Sequence, residues 1–291
     1  MEPFPASPEA CVLLAPDRLE SILKSIHIPP CPEVLVALME EMRQAEVDFL
    51  RLTELISLDV GLAASMLKTA NSPFFAPRNK IDSIQHAVSV LGIRNLTQVL
   101  RGAALQKVLG GDRLFMQQFW EGSNLSALIA SNMAAQLGDI SRDDAYTLGL
   151  FHDCGIPIMM QKFPDYQRKL AAQSNALVMD LEEQYYGTNH AVVGNLLTRN
   201  WHLPDPVSQA ILVHHDYTIY TCDLCVPEVC ALVATIQMTE HIAADLQGRT
   251  DSAEWQKNGR MAMQHLGLSA EDMENIAENA LADLEAMRTR C

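Results

Sequence analysis

Nine histidines occur in the chain, and five of them fall between residues 152 and 215. His152 and Asp153 are adjacent, within Gly149-Leu150-Phe151-His152-Asp153-Cys154-Gly155. Such a pair offers one imidazole nitrogen and one carboxylate oxygen to a single borderline cation. His190 follows, then His202, then the adjacent His214 and His215. A lone histidine on an apolar helix face is more often a hydrogen-bonded core residue than a ligand. A His-Asp pair, a third histidine and a His-His pair on three helices weigh against that plainer account and make a divalent metal site (iron, manganese or zinc) a candidate. Cys222, Cys225 and Cys230 give C-x2-C-x4-C, one ligand short of a four-coordinate structural zinc. His214 or His215 could complete that set, but incidental thiols are the stronger expectation. Cys154 has no basic neighbour in sequence to lower its pKa, so no nucleophilic role is expected of it.

These side chains must be positioned by helices. Leu62, Ala63, Met66, Leu67 and Ala70 share one apolar face at helical spacing, and Leu52, Leu55 and Ile56 do the same after Asp48. Asp82 with Gln85, Ser141 with Asp144, and Ser269 with Asp272 read as helix starts. Gly92 is suited to end a helix in left-handed backbone, with a new helix from Ile93. His190 lies at helical spacing from Gly194, Leu197 and Trp201, facing inward. His214 continues the stripe of Val207, Ala210 and Ile211, whereas His215, about 100° further round, reaches the same point only through a bend or rotation of the helix. No strand-length alternation of apolar and polar residues occurs, so the expected fold is all-α.

Breakers divide the helical string. Residues 1–16 read as an irregular lead-in. The run Ile28-Pro29-Pro30-Cys31-Pro32 imposes extended backbone before a helix from Glu33. Asn71-Ser72-Pro73-Phe74-Phe75-Ala76-Pro77 reads as a turn carrying two aromatics onto the core. Gly110-Gly111-Asp112 is the expected joint between an N-terminal helical lobe over 17–111 and a second over 112–216. Residues 217–291 are expected to add an irregular stretch, to about 228, and helices that pack on the second lobe, the last over 270–289.

With 21 Lys+Arg against 36 Asp+Glu, the formal charge is −15. That balance argues against coating nucleic acid or an anionic membrane, which takes a surplus of cations. Lys68, Arg94 and Arg101 amount to a solvated helix face. Apolar residues make up 48% of the chain, enough for a sizeable core, and the 14 methionines, Met159-Met160 among them, read as adaptable filler. No apolar run approaches the roughly 20 residues of a membrane helix. Met1-Glu2-Pro3-Phe4-Pro5 lacks the pattern of a signal peptide, and seven scattered cysteines suit reduced thiols. A cytoplasmic protein is expected.

Several of these segments together resemble one family. Ile28-Pro29-Pro30-Cys31-Pro32, Ile56-Ser57-Leu58-Asp59, Leu67-Lys68-Thr69-Ala70-Asn71-Ser72-Pro73-Phe74-Phe75, Ile84-Gln85-His86-Ala87-Val88 and Val90-Leu91-Gly92 look like the HDOD domain, the HD-related output domain of bacterial signalling proteins. Phe119-Trp120 with Ser123, the segment around His152-Asp153, His190-Ala191-Val192-Val193-Gly194, Trp201-His202-Leu203-Pro204 and His214-His215 continue the match, collinear over about 18–216. The resemblance implies that the second lobe is similar to the HD and HD-GYP metal phosphohydrolases. By motif, His152 and Asp153 match their His-Asp pair, His190 the next ligand, and His214 and His215 the paired histidines. Where those relatives carry a first histidine this chain has Gly122, before Ser123. Their late aspartate has a weaker counterpart in Glu240. Asp216-Tyr217-Thr218 stands where the cyclic-dinucleotide enzymes have Gly-Tyr-Pro.

These departures make a non-catalytic regulatory module the leading expectation. It would work through other signalling proteins or a nucleotide-like ligand, need no cofactor, and keep a vestigial cluster of His152, Asp153, His190, His214 and His215. The alternative is a metal-dependent phosphohydrolase acting on a nucleotide or cyclic dinucleotide, with Asp153 central to catalysis and the same residues, with Glu240, as ligands. A DNA-binding regulator built on the helices around Gly92 conflicts with the charge.

Overall fold

The structure, a computed structural model of the 291-residue chain, describes residue 22 and residues 25–44, 46–71, 80–171, 178–221, 226–249 and 253–289. Fourteen α-helices and one 3-10 turn account for their regular structure, with no strand among the described residues. None of these helices is long and apolar enough to cross a membrane. The described residues group into two units, one of Pro29–Asp112 with the end of the last helix from Asn275, the other of Arg113–Glu274 with the described residues up to Ile28.

In the first unit, α1 (Glu33–Met42) follows the proline run, and α2 (Phe49–Ser57), α3 (Val60–Ala70) and α4 (Ile84–Val108) follow in turn. The Asp48 carboxylate caps α2 by accepting the N–H groups of Leu50 and Arg51. Asp59 does the same for α3 with Gly61 and Leu62, and also pairs with Lys107 on α4. That Lys107 hydrogen bond is the main reason the Asp59 carboxyl titrates below its ordinary value. The apolar faces read from the sequence converge, and Leu52, Ile56, Leu62, Met66, Leu96 and Leu100 are fully buried. Each such side chain contributes about 1.5–3 kcal/mol. Asn71 bonds both the N–H and the carbonyl of Ile81, joining the end of α3 to the approach to α4. The aromatic turn expected within 71–77, like the lead-in over 1–16, lies outside the described residues from position 72 onward.

One expected cap is displaced. Ser83, not Asp82, caps α4, its hydroxyl accepting the His86 N–H at 3.2 Å. The side chain that matters is the one three residues before the donor, and from Asp82 that donor would be Gln85. Gly92 has φ +68° and ψ 165°, outside the helical range, so α4 is two helices meeting at a kink there, as expected from the sequence.

The second unit holds α5 (Arg113–Leu137), α6 (Arg142–Phe151), α7 (Gly155–Lys162), α8 (Tyr166–Ala171), α9 (Val178–Tyr186), α10 (His190–Asn200), α11 (Asp205–Val213), the 3-10 turn Tyr217–Thr221, α12 (Pro227–Leu246) and α13 (Ala253–His265). α14 (Ala270–Thr289) closes the chain. The Ser269 hydroxyl accepts the Asp272 N–H, and the Asp272 carboxylate accepts the Ser269 N–H, making the expected reciprocal cap. A short connection capped by Ser141 folds α6 back along α5. The stretch expected to be irregular up to about 228 is shorter than that: Tyr217–Thr221 winds a 3-10 turn and α12 starts at Pro227, where proline suits the first helical turn.

Two glycines let these helices close on one another. A Cβ on Gly149 would sit 2.6 Å from the Ala127 Cα, and one on Gly155 would sit 2.0 Å from the His190 carbonyl oxygen. α6 therefore lies directly on α5, and the start of α7 directly on the start of α10. Phe151 and Trp201, both fully buried, meet edge to face at 6.2 Å and fill the space beneath.

Candidate metal centre

Helix ends, not helix middles, present the polar residues. α6 stops at Phe151, so His152 is its C-cap and Asp153 the first residue of the turn into α7. Asn189 caps α10 by accepting the Val192 N–H, which makes His190 its first residue. α11 stops at Val213, leaving His214 as C-cap and His215 in the turn beyond. That termination supplies the bend by which His215 joins His214 on one side.

The structure brings His152, Asp153, His190, His214 and His215 together. Asp153 is the hub. Its Oδ1 lies 3.5 Å from His190 Nε2 and 3.7 Å from His214 Nε2, and its Oδ2 lies 3.3 Å from His152 Nε2. His190 Nε2 and His215 Nε2 are 3.1 Å apart. Two overlapping sets of donor atoms result: Asp153, His190, His214 and His215, and His152, Asp153 and Glu240, the atoms of each set within 4.8 Å of one another. Glu240 enters through an oxygen 3.8 Å from His152 Nε2. His152, His190 and His214 are buried, while the Asp153 side chain keeps 29% of its surface exposed.

The opposite nitrogens are committed elsewhere. His152 Nδ1–H donates to the Gly149 carbonyl at 2.9 Å, and His214 Nδ1–H to the Ile211 carbonyl at 2.7 Å. His190 Nδ1–H donates to the Glu182 carboxylate at 2.7 Å. These acceptors turn each Nε2 toward Asp153 and, on a neutral ring, keep the proton on Nδ1, as outer partners orient histidine ligands. His214 Nε2 is buried with no hydrogen-bond partner, and at 3.7 Å its contact with Asp153 is electrostatic only. Burial, then the neighbouring His215, pushes the His214 imidazole down to about 3, so its lone pair faces a carboxylate oxygen with no proton between them. A divalent cation resolves that opposition, and one carboxylate with three imidazoles suits iron, manganese or zinc. The four-residue set fits a cation.

The three-residue set differs. Burial disfavours a charged His152, but Asp153 and then Glu240 outweigh it and hold its pKa up at about 9. His152 lowers the Asp153 carboxyl well below the ordinary range in return, against the opposing effect of burial. Near neutrality a proton on His152 already balances Asp153, and a cation here must displace it. Ser126 and Ala127 touch Gly149, so the antiparallel run of α5 against α6 puts Gly122-Ser123 level with His152. Nothing stands within 4 Å of a Cβ built on Gly122; the place has room for a side chain and supplies none.

His202 does not join the cluster: it is exposed, with φ +53°, just beyond α10. Cys154 is buried, its thiol pushed up by burial and then by Asp153, in keeping with an inert packing role. Cys222 and Cys225 lie outside the described residues; Cys230 is buried, with Sγ 4.0 Å from the Ile219 carbonyl oxygen.

Three residues around the centre carry no sequence signal. Glu182 is fully buried on α9 and accepts the Tyr166 hydroxyl as well as His190. Burial and the adjacent Glu182 push the Tyr166 phenol up, so it stays a donor. Gln237 on α12 donates to the His214 carbonyl at 2.7 Å and accepts the Tyr220 hydroxyl at 2.6 Å, tying the His214-His215 turn to the 3-10 segment.

Comparison with known proteins bears on the family and the fold. The sequence profile of the HDOD domain matches residues 28–217. The chain belongs to the HDOD domain family. An HDOD domain protein of unknown function from Geobacter sulfurreducens superposes with a TM-score of 0.72 at 22% identity, covering 94% of this chain and 96% of that one. A candidate phosphohydrolase from Shewanella amazonensis SB2B gives 0.73 at 20% identity, with 94% and 96% covered. A protein from Marinobacter aquaeolei VT8 described as a candidate for signal transduction gives 0.72 at 20%, with 94% and 64% covered. These likenesses establish the HDOD fold. An uncharacterised protein of Treponema pallidum (strain Nichols) is 28% identical over 193 residues, which span 65% of this chain and 38% of that relative's length.

Proposed function

We propose that this HDOD protein is a non-catalytic regulatory module whose Asp153, His190, His214 and His215 hold one divalent cation, and that it passes its signal on through contacts with other signalling proteins. The orientation of the buried imidazoles carries the reading: Nδ1–H groups tied back, Nε2 atoms turned to one carboxylate, and a His214 Nε2 left with no partner. The non-catalytic reading is supported by Gly122, which stands where the resemblance places a further histidine and supplies no ligand. The names of the Marinobacter and Shewanella neighbours, one pointing to signalling and one to phosphohydrolysis, support the two readings about equally.

The phosphohydrolase reading has one observation in its favour: the exposed edge of Asp153, through which a phosphoester could approach. A bound cation supplies Lewis acidity toward a phosphate oxygen. Asp153 and the three imidazoles would hold it, His152 would keep a proton beside the same carboxylate, and Glu240 would set a second negative charge at the mouth. Elemental analysis of the full chain, purified without chelator or affinity tag, should find about one iron, manganese or zinc per chain, lost in Asp153→Ala. The same sample should leave cyclic dinucleotides and p-nitrophenyl phosphodiesters intact with added Mn2+. Turnover that requires the ion and disappears in Asp153→Ala would establish the enzyme instead.

A further inference from the structure

A carboxylate taken wholly out of water costs several kcal/mol unless hydrogen bonds replace its hydration. Glu182 is 0% exposed, and its bonds are specific. One oxygen accepts both the main-chain N–H of His190, at 3.0 Å, and the Nδ1–H of the same residue, at 2.7 Å; the other accepts the Tyr166 hydroxyl. A residue serving only to tie α9 to α10 would need the main-chain bond alone. The ring bond determines which nitrogen of His190 carries the proton and which way the ring faces. His152 and His214 give their Nδ1–H to neutral carbonyls, whereas His190 gives it to a carboxylate. A charged acceptor makes the opposite nitrogen a stronger electron-pair donor.

We infer that Glu182, steadied by Tyr166, is a positioning residue that locks His190 in the Nδ1–H tautomer with Nε2 turned to Asp153, His214 and His215, and so sets how tightly the centre retains a divalent cation. The inference rests on the reading of this centre as a cation site. The neighbouring Glu183 has a different contact: its carboxylate accepts Asn189 Nδ2–H at 2.7 Å.

Two measurements on the full chain test it. Cation-free protein is titrated with Zn2+ against a competing chelator, and long-range 1H–15N NMR of the same cation-free protein reads the imidazole tautomers. Glu182→Met, which leaves the His190 Nδ1–H without its acceptor, should weaken Zn2+ binding about 10–100-fold and shift His190 toward the Nε2–H tautomer, while Glu183→Gln changes neither. A folded Glu182→Met protein with wild-type affinity and an unchanged His190 tautomer overturns the inference. If Glu182→Met does not fold, by circular dichroism, Tyr166→Phe decides: a loss of at least about threefold in affinity upholds the role, and wild-type affinity refutes it. Wild-type protein that takes up no Zn2+ refutes the cation reading. The NMR comparison then still judges Glu182, through the presence or loss of the His190 Nδ1–H on substitution.

Discussion

At the residue scale, Asp153 sets the protonation of its surroundings, and this gives the cation-free protein a particular pH profile. His152 rises from 6.5 to about 9 on folding, so between those pH values the folded chain holds a proton that the unfolded chain has released. Stability therefore falls as pH rises through this window, by about 3 kcal/mol in all. His214 is lowered to about 3; below 6.5 the unfolded chain gains a proton the folded one refuses, and stability falls with pH on that side too. Thermal melts of chelator-treated protein should peak near pH 6.5, and Asp153→Asn should flatten the alkaline limb. A limb of unchanged slope in that variant would mean that Asp153 does not govern His152. The histidines and Asp153 were legible because residue type and adjacency name them. Glu182 and Gln237 were not: Glu182 stands eight positions before His190 on another helix, Gln237 stands 23 after His214, and only the packed fold makes either a neighbour.

At the scale of elements, glycines decide where helices may touch. Gly155→Ala would drive a Cβ to 2.0 Å from the His190 carbonyl oxygen, a backbone atom that cannot swing aside. The substitution should cost at least about 2 kcal/mol and weaken cation binding at the proposed centre, since it prises α7 from the start of α10. Gly122→Ala should do the reverse. Its Cβ meets nothing within 4 Å inside α5, and alanine in a helix interior is favoured over glycine by about 0.5–1 kcal/mol. Denaturant unfolding of the two variants should therefore show shifts of opposite sign; destabilisation by Gly122→Ala would show that the position is packed after all. Helix identity was readable from apolar spacing, and most starts from their caps. Asp82 was expected as the cap and Ser83 is the cap: either side chain can serve, and backbone geometry makes the choice. That α11 ends just before His214 has no local cause in the sequence. Gln237, reaching from α12 to the His214 carbonyl, is part of what stabilises that turn.

For the whole molecule, a formal charge of −15 opposes approach to any polyanion. The protein should not retard duplex DNA in a gel even at low ionic strength; retardation that weakens steeply with added salt would point to a localised cationic face. The all-α class was legible from the chain because nearly every apolar segment repeats at the helical period. One local departure bears on the stability of the entire chain. At the end of α10, the Leu203 N–H reaches the Thr198 carbonyl at 3.0 Å and the His202 N–H the Arg199 carbonyl at 3.1 Å. This is a helix-ending loop that favours glycine at the position His202 occupies with φ +53°. Because that imidazole is exposed and takes no part in the centre, His202→Gly should add about 0.5–1 kcal/mol without altering cation binding. It would furnish a sturdier parent chain in which otherwise crippling replacements at the buried carboxylate could be purified and compared.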